Sequence, residues 1–362
     1  MSREVVAAVV TEPGRPPELQ KVRIDDPREG EVLIRLGATG ICATDLHFSH
    51  MMSKPAVLGH EGAGWVEECG PGVTRFAPGD AVIATFARCG TCANCRAGEP
   101  AYCTRFDDLN FGGTRENGSS AVEFDGDAAY AHFLGQSSFA THMVVRESSL
   151  VDLPPGADPR AVAPYGCGLM TGAGAVLNVL RPGPTDTVAV FGAGTVGLAA
   201  VMAAAAAGAR AVIAVDLSPE RLALASAVGA THVVEAGGGD VVSAIDEIVP
   251  GGVDFAVEST GVGSVLTAAV EALSRRGTCA VVGIGSESTI SLDWRTLLNG
   301  RTVTGVISGS SLPEVAVPDL LNLADAGRFP AEKLVRNYAF TDIAEAWEAA
   351  RSGGVVKAVL QF

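Results

Sequence analysis

The sequence predicts an α/β protein with two domains, a β-rich one of barrel type and one built on a doubly wound parallel sheet. Three observations predict this class: short apolar runs broken by glycine and proline over residues 1 to about 160, alternating strands and helices from about Thr171, and the strand-like ending GGVVKAVLQF. A chain of 362 residues with 48% hydrophobic residues can supply the cores that two domains need.

The β-rich section contains three segments with the composition of strands, EVLIRLGATGI, AGWVEECG and GDAVIATF. A long polar stretch interrupts this section between Thr104 and Tyr130. Insertions of that length are usually functional or pack against a partner. We therefore expect the segment to belong to a site or an interface.

The second section repeats a strand–helix pattern. TVAVF (187–191) predicts a buried strand, a helix follows to about Gly208, and AVIAVD (211–216) predicts the next strand; HVVEA, VDFAVEST and GTCAVVGI continue the alternation. Repeated βαβ units imply a parallel sheet covered on both faces. From about Ser308 we expect two more helices before the last strand.

The charge of the chain limits its partners. The formal net charge is −15 and the pI is about 4.8, so the surface repels phosphate backbones and anionic membranes, and we expect neither nucleic acid nor a membrane as a partner. The first apolar run is too short for a signal peptide, and the run from Leu198 to Ala209 is too short to span a bilayer. We therefore expect a cytoplasmic protein with reduced thiols.

Four of the eight cysteines lie in the stretch RCGTCANCRAGEPAYC, namely Cys89, Cys92, Cys95 and Cys103. Four thiolates at this spacing suit a closed tetrahedral zinc site, which has no open position for chemistry. An iron–sulfur cluster uses similar spacings, and unrelated buried thiols are a further alternative. We expect a structural zinc that stabilises a loop.

A second group of ligand types is scattered along the chain in GICATDLH, LGHEGAG and YGCGLMTG. Each residue alone is a weak signal, because a lone histidine or cysteine is more often structural. Together Cys42, His60 and Cys167 offer two thiolates and an imidazole, the ligand set of one kind of catalytic zinc. Such residues can also coincide by chance over a long chain.

The segment VAVFGAGTVGLAA places Gly192, Gly194 and Gly197 after a strand and at the start of a helix. This context predicts a Rossmann-type turn, in which the glycines allow a tight turn, a close approach of pyrophosphate and helix–strand packing. Asp216 ends the next predicted strand, where a carboxylate binds ribose hydroxyls and repels the extra phosphate of NADP. We therefore expect NAD, with an ordinary glycine turn as the alternative.

In this order, the motifs resemble those of the zinc-dependent alcohol dehydrogenases of the medium-chain dehydrogenase/reductase family. The resemblance covers nearly the whole chain, on GHEGAG, the cysteine run, GCGLMTG, FGAGTVGL and RSGGVVKAVLQF. It is greatest to the aryl (benzyl) and the liver-type members, on the long segment after Cys103, HFLGQSSFATHMVV and NGRT. It implies a GroES-like catalytic domain at 1–168 and 308–362 with a structural zinc loop at 89–103, and a Rossmann NAD-binding domain at 169–307. It also implies two zinc ions per chain, NAD, and a homodimer or homotetramer.

The resemblance also implies roles for individual residues. Cys42, His60 and Cys167 would bind the catalytic zinc, and Glu61 would lie behind it. Asp45 would orient His60, and Thr44 and His47 would relay the substrate proton. Cofactor contacts would come from Thr171, Gly192, Gly194, Thr195, Val196, Gly197, Asp216, Arg221 and, at the pyrophosphate, Lys357. The substrate pocket would be lined by Thr85, Phe133, Leu134 and Ile284.

One position departs from the family pattern, since Ala43 stands where several relatives carry a basic residue against the pyrophosphate. The implied activity is reversible NAD-linked oxidation of a primary alcohol, of aromatic, allylic or terpenoid type, through a zinc-bound alkoxide. Two alternatives stay open: oxidation of a thiol adduct of formaldehyde, and a non-catalytic NAD-binding protein.

Overall fold

The computed structural model describes residues 2–285 and 289–362. The chain divides into two compact units. The first unit comprises the chain through Cys167 together with Leu312–Pro318 and Leu334–Phe362, and the second comprises Gly168–Ser311 and Asp319–Lys333. Within the described residues, none of the helices has the length and apolarity needed to cross a bilayer.

The first unit is mainly β-structure. Its elements up to Cys167 are β1 (Ser2–Val10), β2 (Glu18–Asp25), β3 (Glu31–Gly40), α1 (Ala43–Ser49), β4 (Ala56–Val57), β5 (Gly62–Cys69), β6 (Ala81–Ala84), α2 (Ala93–Arg96), α3 (Phe106–Phe111), β7 (Val122–Phe124), β8 (Asp127–Ala128), β9 (His142–Arg146), β10 (Leu150–Asp152) and α4 (Pro159–Val162).

The second unit alternates strands and helices. Its elements are α5 (Gly168–Gly174), β11 (Thr187–Phe191), α6 (Thr195–Ala207), β12 (Ala211–Asp216), α7 (Pro219–Ala227), β13 (His232–Glu235), α8 (Val241–Ile248), β14 (Val253–Glu258), α9 (Gly263–Glu271), β15 (Leu273–Val281), α10 (Trp294–Leu298) and β16 (Thr302–Gly305). The chain then continues through α11 (Pro313–Asp325), β17 (Val335–Ala339), α12 (Ile343–Arg351) and β18 (Lys357–Gln361).

Two sheets form the first unit. One has the strand order β4-β1-β2-β7-β8, and the other has the order β10-β6-β5-β3-β18-β17 with β9 also paired to β3. Strand β3 is buried along nearly its whole length, as its apolar sequence predicts for a central strand. Thr39 of β3 pairs with both Gly62 of β5 and Leu360 of β18. Because both partners run antiparallel to β3, the end of β3 lies beside the starts of β5 and β18.

The second unit contains a parallel sheet with the order β13-β12-β11-β14-β15-β16. All five residues of β11 and the first five of β12 are buried, because helices cover both faces of such a sheet. The strand order reverses at β11, which is the doubly wound pattern. The predicted α/β class, with a β-rich part and a Rossmann-type sheet, is confirmed.

The inserted polar segment is ordered. It contains α3, β7 and β8, and β7 pairs with β2. The nearly buried guanidinium of Arg115 donates to both Glu31 oxygens and to Asp25. These charge-assisted bonds hold the insertion against β2 and β3.

Candidate active site

The scattered group of ligand types is brought together at one end of the first unit. Single ligand atoms of Cys42, His60, Glu61 and Cys167 all lie within 4.8 Å of one another. Cys42 follows β3 and caps α1, whereas His60 and Glu61 come just before β5. Cys167 follows a 3₁₀ turn at Ala163–Gly166. The pairing of β3 with β5 brings the first two segments together, and the turn before Cys167 supplies the third.

Asp45 connects two of these segments. Its fully buried carboxylate accepts hydrogen bonds from the backbone N–H of Cys42 at 2.9 Å and of Gly59 at 3.1 Å. The same carboxylate lies 2.9 Å from Nδ1 of His60. Because a carboxylate only accepts, Nδ1 carries a proton, and Nε2 is the ring nitrogen left to bind a metal.

The Nε2 atom of His60 indicates whether this group of residues could bind a metal ion. Among the described residues, Nε2 has no hydrogen-bond partner although it is buried. Buried polar atoms are rarely left unpaired, and this one faces a donor set of two sulfurs and a carboxylate. One imidazole and two thiolates are ligands that zinc prefers. The residues present therefore fit a zinc ion.

The two thiols of this group shift each other's pKa in opposite directions. A hydrogen bond from Cys167 lowers the pKa of Cys42 well below the usual thiol value despite burial, and the same contact raises the pKa of Cys167. The contact therefore favours the deprotonated form of Cys42. A thiolate in an enclosed site favours a cation beside it.

A Glu61 carboxylate oxygen lies within 4.8 Å of the two sulfurs. Glu61 is fully buried, and a Cβ on Gly40 would come within 1.9 Å of its Oε2 atom. Only glycine at position 40 leaves room for this carboxylate, because any side chain would overlap it.

Lys357, which is predicted to contact the pyrophosphate, binds a buried carboxylate in the structure. It begins β18, its side chain is 2% exposed, and its Nζ lies 2.8 and 2.9 Å from the two Glu61 oxygens and 3.1 Å from the Ile41 carbonyl. Burial lowers the pKa of Lys357, but the Glu61 charge more than compensates and raises it above the usual value. The three ammonium protons are thus matched by three acceptors, and the structure gives Lys357 the role of anchoring Glu61.

Helix α1 carries the two residues predicted to relay a proton. The Thr44 hydroxyl lies 3.8 Å from the Cys42 sulfur, and His47 is exposed with its ring 5.7 Å from that of Phe48. Residues three apart lie on the same side of a helix, so Thr44 and His47 are neighbours on α1. Ala43 is exposed at the first position of this helix.

The predicted zinc loop forms a second cluster in the first unit. The sulfurs of Cys89, Cys92, Cys95 and Cys103 lie within 4.8 Å of one another. Backbone N–H groups donate to three of them, at 3.3–3.5 Å to Cys89, 3.4 Å to Cys92 and 3.4 Å to Cys103. Hydrogen bonds from Thr91 and Cys92 lower the pKa of Cys89 to about 7, and the bond from Cys95 helps to lower the pKa of Cys92 to about 5.

Disulfides do not account for this cluster. The eight cysteines, which all fall in the described ranges, are free, and the Cys89 and Cys95 sulfurs are 3.9 Å apart. A disulfide requires about 2.05 Å. Four convergent sulfurs, two of them with lowered pKa values, fit a closed zinc site.

The glycine turn of the second unit connects β11 to α6. Gly192 has a φ of +94°, and a Cβ on Gly197 would lie 1.8 Å from the Gly192 carbonyl oxygen. A Cβ on Gly194 would have no heavy atom within 4 Å among the described neighbours, so the backbone there is open to a ligand. Asp216, at the end of β12, accepts from the N–H of Ala193 at 2.6 Å and of Ser218 at 2.9 Å. The turn and the carboxylate are therefore adjacent, as dinucleotide binding requires.

The other predicted cofactor contacts also lie in the second unit. Thr195 and Val196 open α6, Thr171 lies in α5, and Arg221 lies in the first turns of α7. All four are half-buried.

The predicted substrate pocket is only partly supported. Thr85 is fully buried, and its hydroxyl donates to the Ser149 carbonyl at 3.2 Å. Phe133 is also fully buried, and its ring packs edge-on against His60 at 5.5 Å. Leu134 is half-buried in the first unit, and Ile284 is 69% exposed in the second.

Sequence reasoning missed Gln136. Its buried amide donates to the His60 carbonyl at 2.8 Å and accepts from the Gly62 N–H at 3.1 Å. These bonds hold the backbone on both sides of Glu61. A polar amide beside the apolar run HFLG was the only signal in the sequence, and it does not reveal the partner.

Comparison with known proteins places this architecture in a family. Residues 28–155 match the family model of the alcohol dehydrogenase GroES-like domain, and residues 195–326 match that of the zinc-binding dehydrogenases. The chain therefore combines a GroES-like part with a dehydrogenase nucleotide-binding part.

Relatives match over almost the full length. The chain is 37% identical to the geraniol dehydrogenase of Castellaniella defragrans, covering 98% of this chain and 97% of that protein. It is 34% identical to the S-(hydroxymethyl)glutathione dehydrogenase of Escherichia coli, covering 98% and 99%. Among solved structures, the benzyl alcohol dehydrogenase of Acinetobacter calcoaceticus is 41% identical with a TM-score of 0.96 and 99% coverage of each chain. An alcohol dehydrogenase zinc-binding domain protein from Burkholderia ambifaria is 44% identical, with a TM-score of 0.97 and 100% coverage of each.

The chain belongs to the zinc-dependent alcohol dehydrogenases of the medium-chain dehydrogenase/reductase family. Its cofactors are accordingly zinc and NAD, which confirms the expectation from the sequence.

Proposed function

We propose that this protein oxidises primary alcohols of aromatic, allylic or terpenoid type to aldehydes, reversibly and with NAD. The observation that carries the proposal is the buried, unpaired Nε2 of His60 beside Cys42 and Cys167. Similarity to a geraniol dehydrogenase and a benzyl alcohol dehydrogenase supports the proposed class of substrate.

Cys42, Cys167 and Nε2 of His60 would hold the catalytic zinc. When bound there, zinc lowers the pKa of an alcohol hydroxyl so that hydride can pass to NAD at neutral pH. Asp45 keeps the proton of His60 on Nδ1, so that Nε2 is available at every turnover. Two thiolates in the ligand set neutralise the metal charge, which suits reversible chemistry.

The remaining residues would position the substrate and move its proton. Thr44 accepts the hydroxyl proton, and the exposed imidazole of His47 on the same side of α1 passes it to water. In the second unit, the turn Gly192–Gly197 cradles pyrophosphate and Asp216 binds the ribose hydroxyls, while Thr171, Thr195, Val196 and Arg221 contribute further cofactor contacts. The four-cysteine loop would hold a structural zinc.

We also propose that the two compact units function as the catalytic and the NAD-binding domain, and that the protein assembles as a dimer or tetramer in the cytoplasm. The exposure of Trp294 (71%) and Leu298 (72%), next to the edge strand β16, supports assembly. The reduced thiols required by both cysteine clusters support a cytoplasmic location. Sedimentation velocity tests the assembly, and a monomer at micromolar concentration would contradict it.

A substrate panel tests the function. The purified protein, with its zinc content measured, is assayed with benzyl alcohol, geraniol, ethanol and S-(hydroxymethyl)glutathione, each with NAD and with NADP. We expect the aromatic and terpenoid alcohols to give the highest kcat/KM, with NAD preferred. Preference for the thiol adduct would favour the second candidate, which the 34% identical relative suggests. Absence of turnover in a protein with two zinc ions per chain would overturn the proposal.

Asp216→Ala tests the cofactor role separately. Removing the carboxylate removes the repulsion of the NADP phosphate, so the ratio of kcat/KM for NAD over NADP should fall. An unchanged ratio would contradict the role of Asp216.

A further inference from the structure

A row of aromatic rings leads away from the candidate metal ligand. The ring of Phe133 lies 5.5 Å from that of His60 at an interplanar angle of 81°. Phe48 follows at 5.2 Å from Phe133, and Phe111 stacks on Phe48 at 4.8 Å and 7°. The row therefore runs from the candidate zinc site to α3 of the inserted segment.

The rings differ in what they can touch. Phe133 is 0% exposed, so no ligand reaches it in this structure. Phe48 and Phe111 are only partly buried where they pack against the core. The surface that the row offers to a ligand is therefore the stacked pair Phe48–Phe111.

The geometry of α1 relates this pair to the reacting end of a substrate. Thr44 and Phe48 are four residues apart and so share a face of the helix, about 6 Å apart along its axis. Thr44 lies beside the Cys42 sulfur. A hydroxyl held at Thr44 thus has an apolar aromatic surface one helical turn away, a distance that a three-carbon linker can span.

We propose that Phe48 and Phe111 select the substrate by packing against a flat apolar group at the end remote from the hydroxyl. Offset and edge-on contacts between neutral rings favour an aryl or extended unsaturated group. This inference rests on the proposed function and adds to it the residues that determine specificity.

The test compares cinnamyl alcohol with allyl alcohol, which has the same reactive end without the phenyl ring. Phe48→Leu and Phe111→Leu keep an apolar side chain and remove the ring. We expect each variant to lower kcat/KM for cinnamyl alcohol about tenfold, equal to about 1.4 kcal/mol, and to change kcat/KM for allyl alcohol less than twofold. Zinc content and thermal unfolding show whether each variant is intact, and Phe111→Leu carries the test if Phe48→Leu does not fold.

Phe362→Leu is the matched control. Phe362 is also partly exposed, and its ring pairs with Phe340 at 4.4 Å, so this variant breaks an aromatic pair outside the row. This variant should leave kcat/KM for both alcohols unchanged. Equal losses for both alcohols, or no loss for cinnamyl alcohol, would overturn the inference while the proposed function stands. If the wild-type protein oxidises neither alcohol, the proposed function fails and this inference fails with it.

Discussion

The two cysteine-containing clusters of the first unit are assembled in opposite ways. The loop cluster takes its four sulfurs from residues 89–103, and the N–H groups that stabilise them belong to the same loop. The other cluster takes Cys42, His60 and Cys167 from three distant segments. Its supporting contacts come from Asp45, on α1, and from Lys357, on the last strand.

This difference indicates what each cluster contributes. A locally built, closed set of four thiolates constrains a loop and leaves no position for a substrate. A set built from strand ends leaves Nε2 of His60 free inside the protein and depends on the fold for its geometry. Changes in the first cluster should therefore alter stability, and changes in the second should alter activity and metal affinity.

The largest expected effect is that of Cys42→Ser. Loss of a catalytic zinc ligand should lower kcat/KM roughly a thousandfold, because the metal supplies several kcal/mol to the reaction. Metal analysis should still find the loop zinc. Cys69→Ser, at a free cysteine outside both clusters, is the control. Substantial turnover by Cys42→Ser would place the catalytic metal elsewhere.

Lys357→Met should have the next largest effect. It removes the ammonium group that neutralises the buried Glu61 carboxylate, which costs about 3–5 kcal/mol of stability. Urea unfolding measures the loss. Lys333→Met is a suitable comparison, since Lys333 makes an exposed hydrogen bond to Ala227 and its loss should be nearly neutral. A stable Lys357→Met protein with weakened NAD binding would restore the pyrophosphate role.

Cys92→Ser tests the loop cluster. Releasing a crosslink across a loop of this length should cost about 3 kcal/mol, by the loop-closure estimate. The melting temperature and the zinc content should fall, whereas kcat per remaining folded molecule should change little. A loss of kcat as large as that of Cys42→Ser would remove the distinction between the clusters.

Asp45→Asn tests how the buried ring of His60 is held. The amide retains the shape but weakens the bond that keeps the proton on Nδ1. Zinc affinity should fall about 10–100-fold, the usual range for a residue that orients a ligand. Competition with a chelator measures the affinity, and an unchanged value would argue against the role of Asp45.

The smallest expected effect is a loss of stability at acidic pH, and it concerns the imidazole of His132. His132 also has a buried Nε2 without a partner among the described residues, but no metal ligand set surrounds it there. Burial, aided by Arg115, lowers the pKa of His132 to about 4 from 6.5. Since the unfolded chain then binds more protons between these values, stability is complete above pH 6.5 and is lost as the pH falls towards 4.

His132→Asn should flatten this dependence, and asparagine tolerates the left-handed conformation of position 132. Urea unfolding of both proteins between pH 8 and pH 5 measures it. Identical slopes for the two proteins would show that His132 does not contribute.

Local sequence patterns predicted the cysteine loop, the glycine turn and several strands, because the geometry of each depends on residues adjacent in sequence. The spacing of Cys89, Cys92, Cys95 and Cys103 predicts convergence, since one loop can bring them together without help from the rest of the fold. The glycines 192, 194 and 197 predict their turn for the same reason. The strands 187–191 and 211–216 match their predicted bounds, because continuous apolar runs bury both faces.

Other features of the site were predicted only through the family resemblance, or were not predicted at all. The grouping of Cys42, His60 and Cys167 was a weak signal in the residues themselves, because nothing local joins segments so far apart. The ion pair of Lys357 with Glu61 and the complete burial of Thr85 were not foreseen, since both depend on which neighbours the sheets supply. Neither periodicity nor spacing in the sequence predicts that Phe48 stacks on Phe111.

The sequence by itself determined the α/β class, the thiolate loop and the nucleotide turn, because each is encoded by contiguous residues or by a simple repeat of apolar positions. Only the tertiary structure decided that Asp45 holds His60, that Lys357 pairs with Glu61, and that Phe48 presents its ring beside Phe111. These contacts depend on strand register and on the path of the inserted segment, which are set by packing across the whole unit and not by any single stretch of chain.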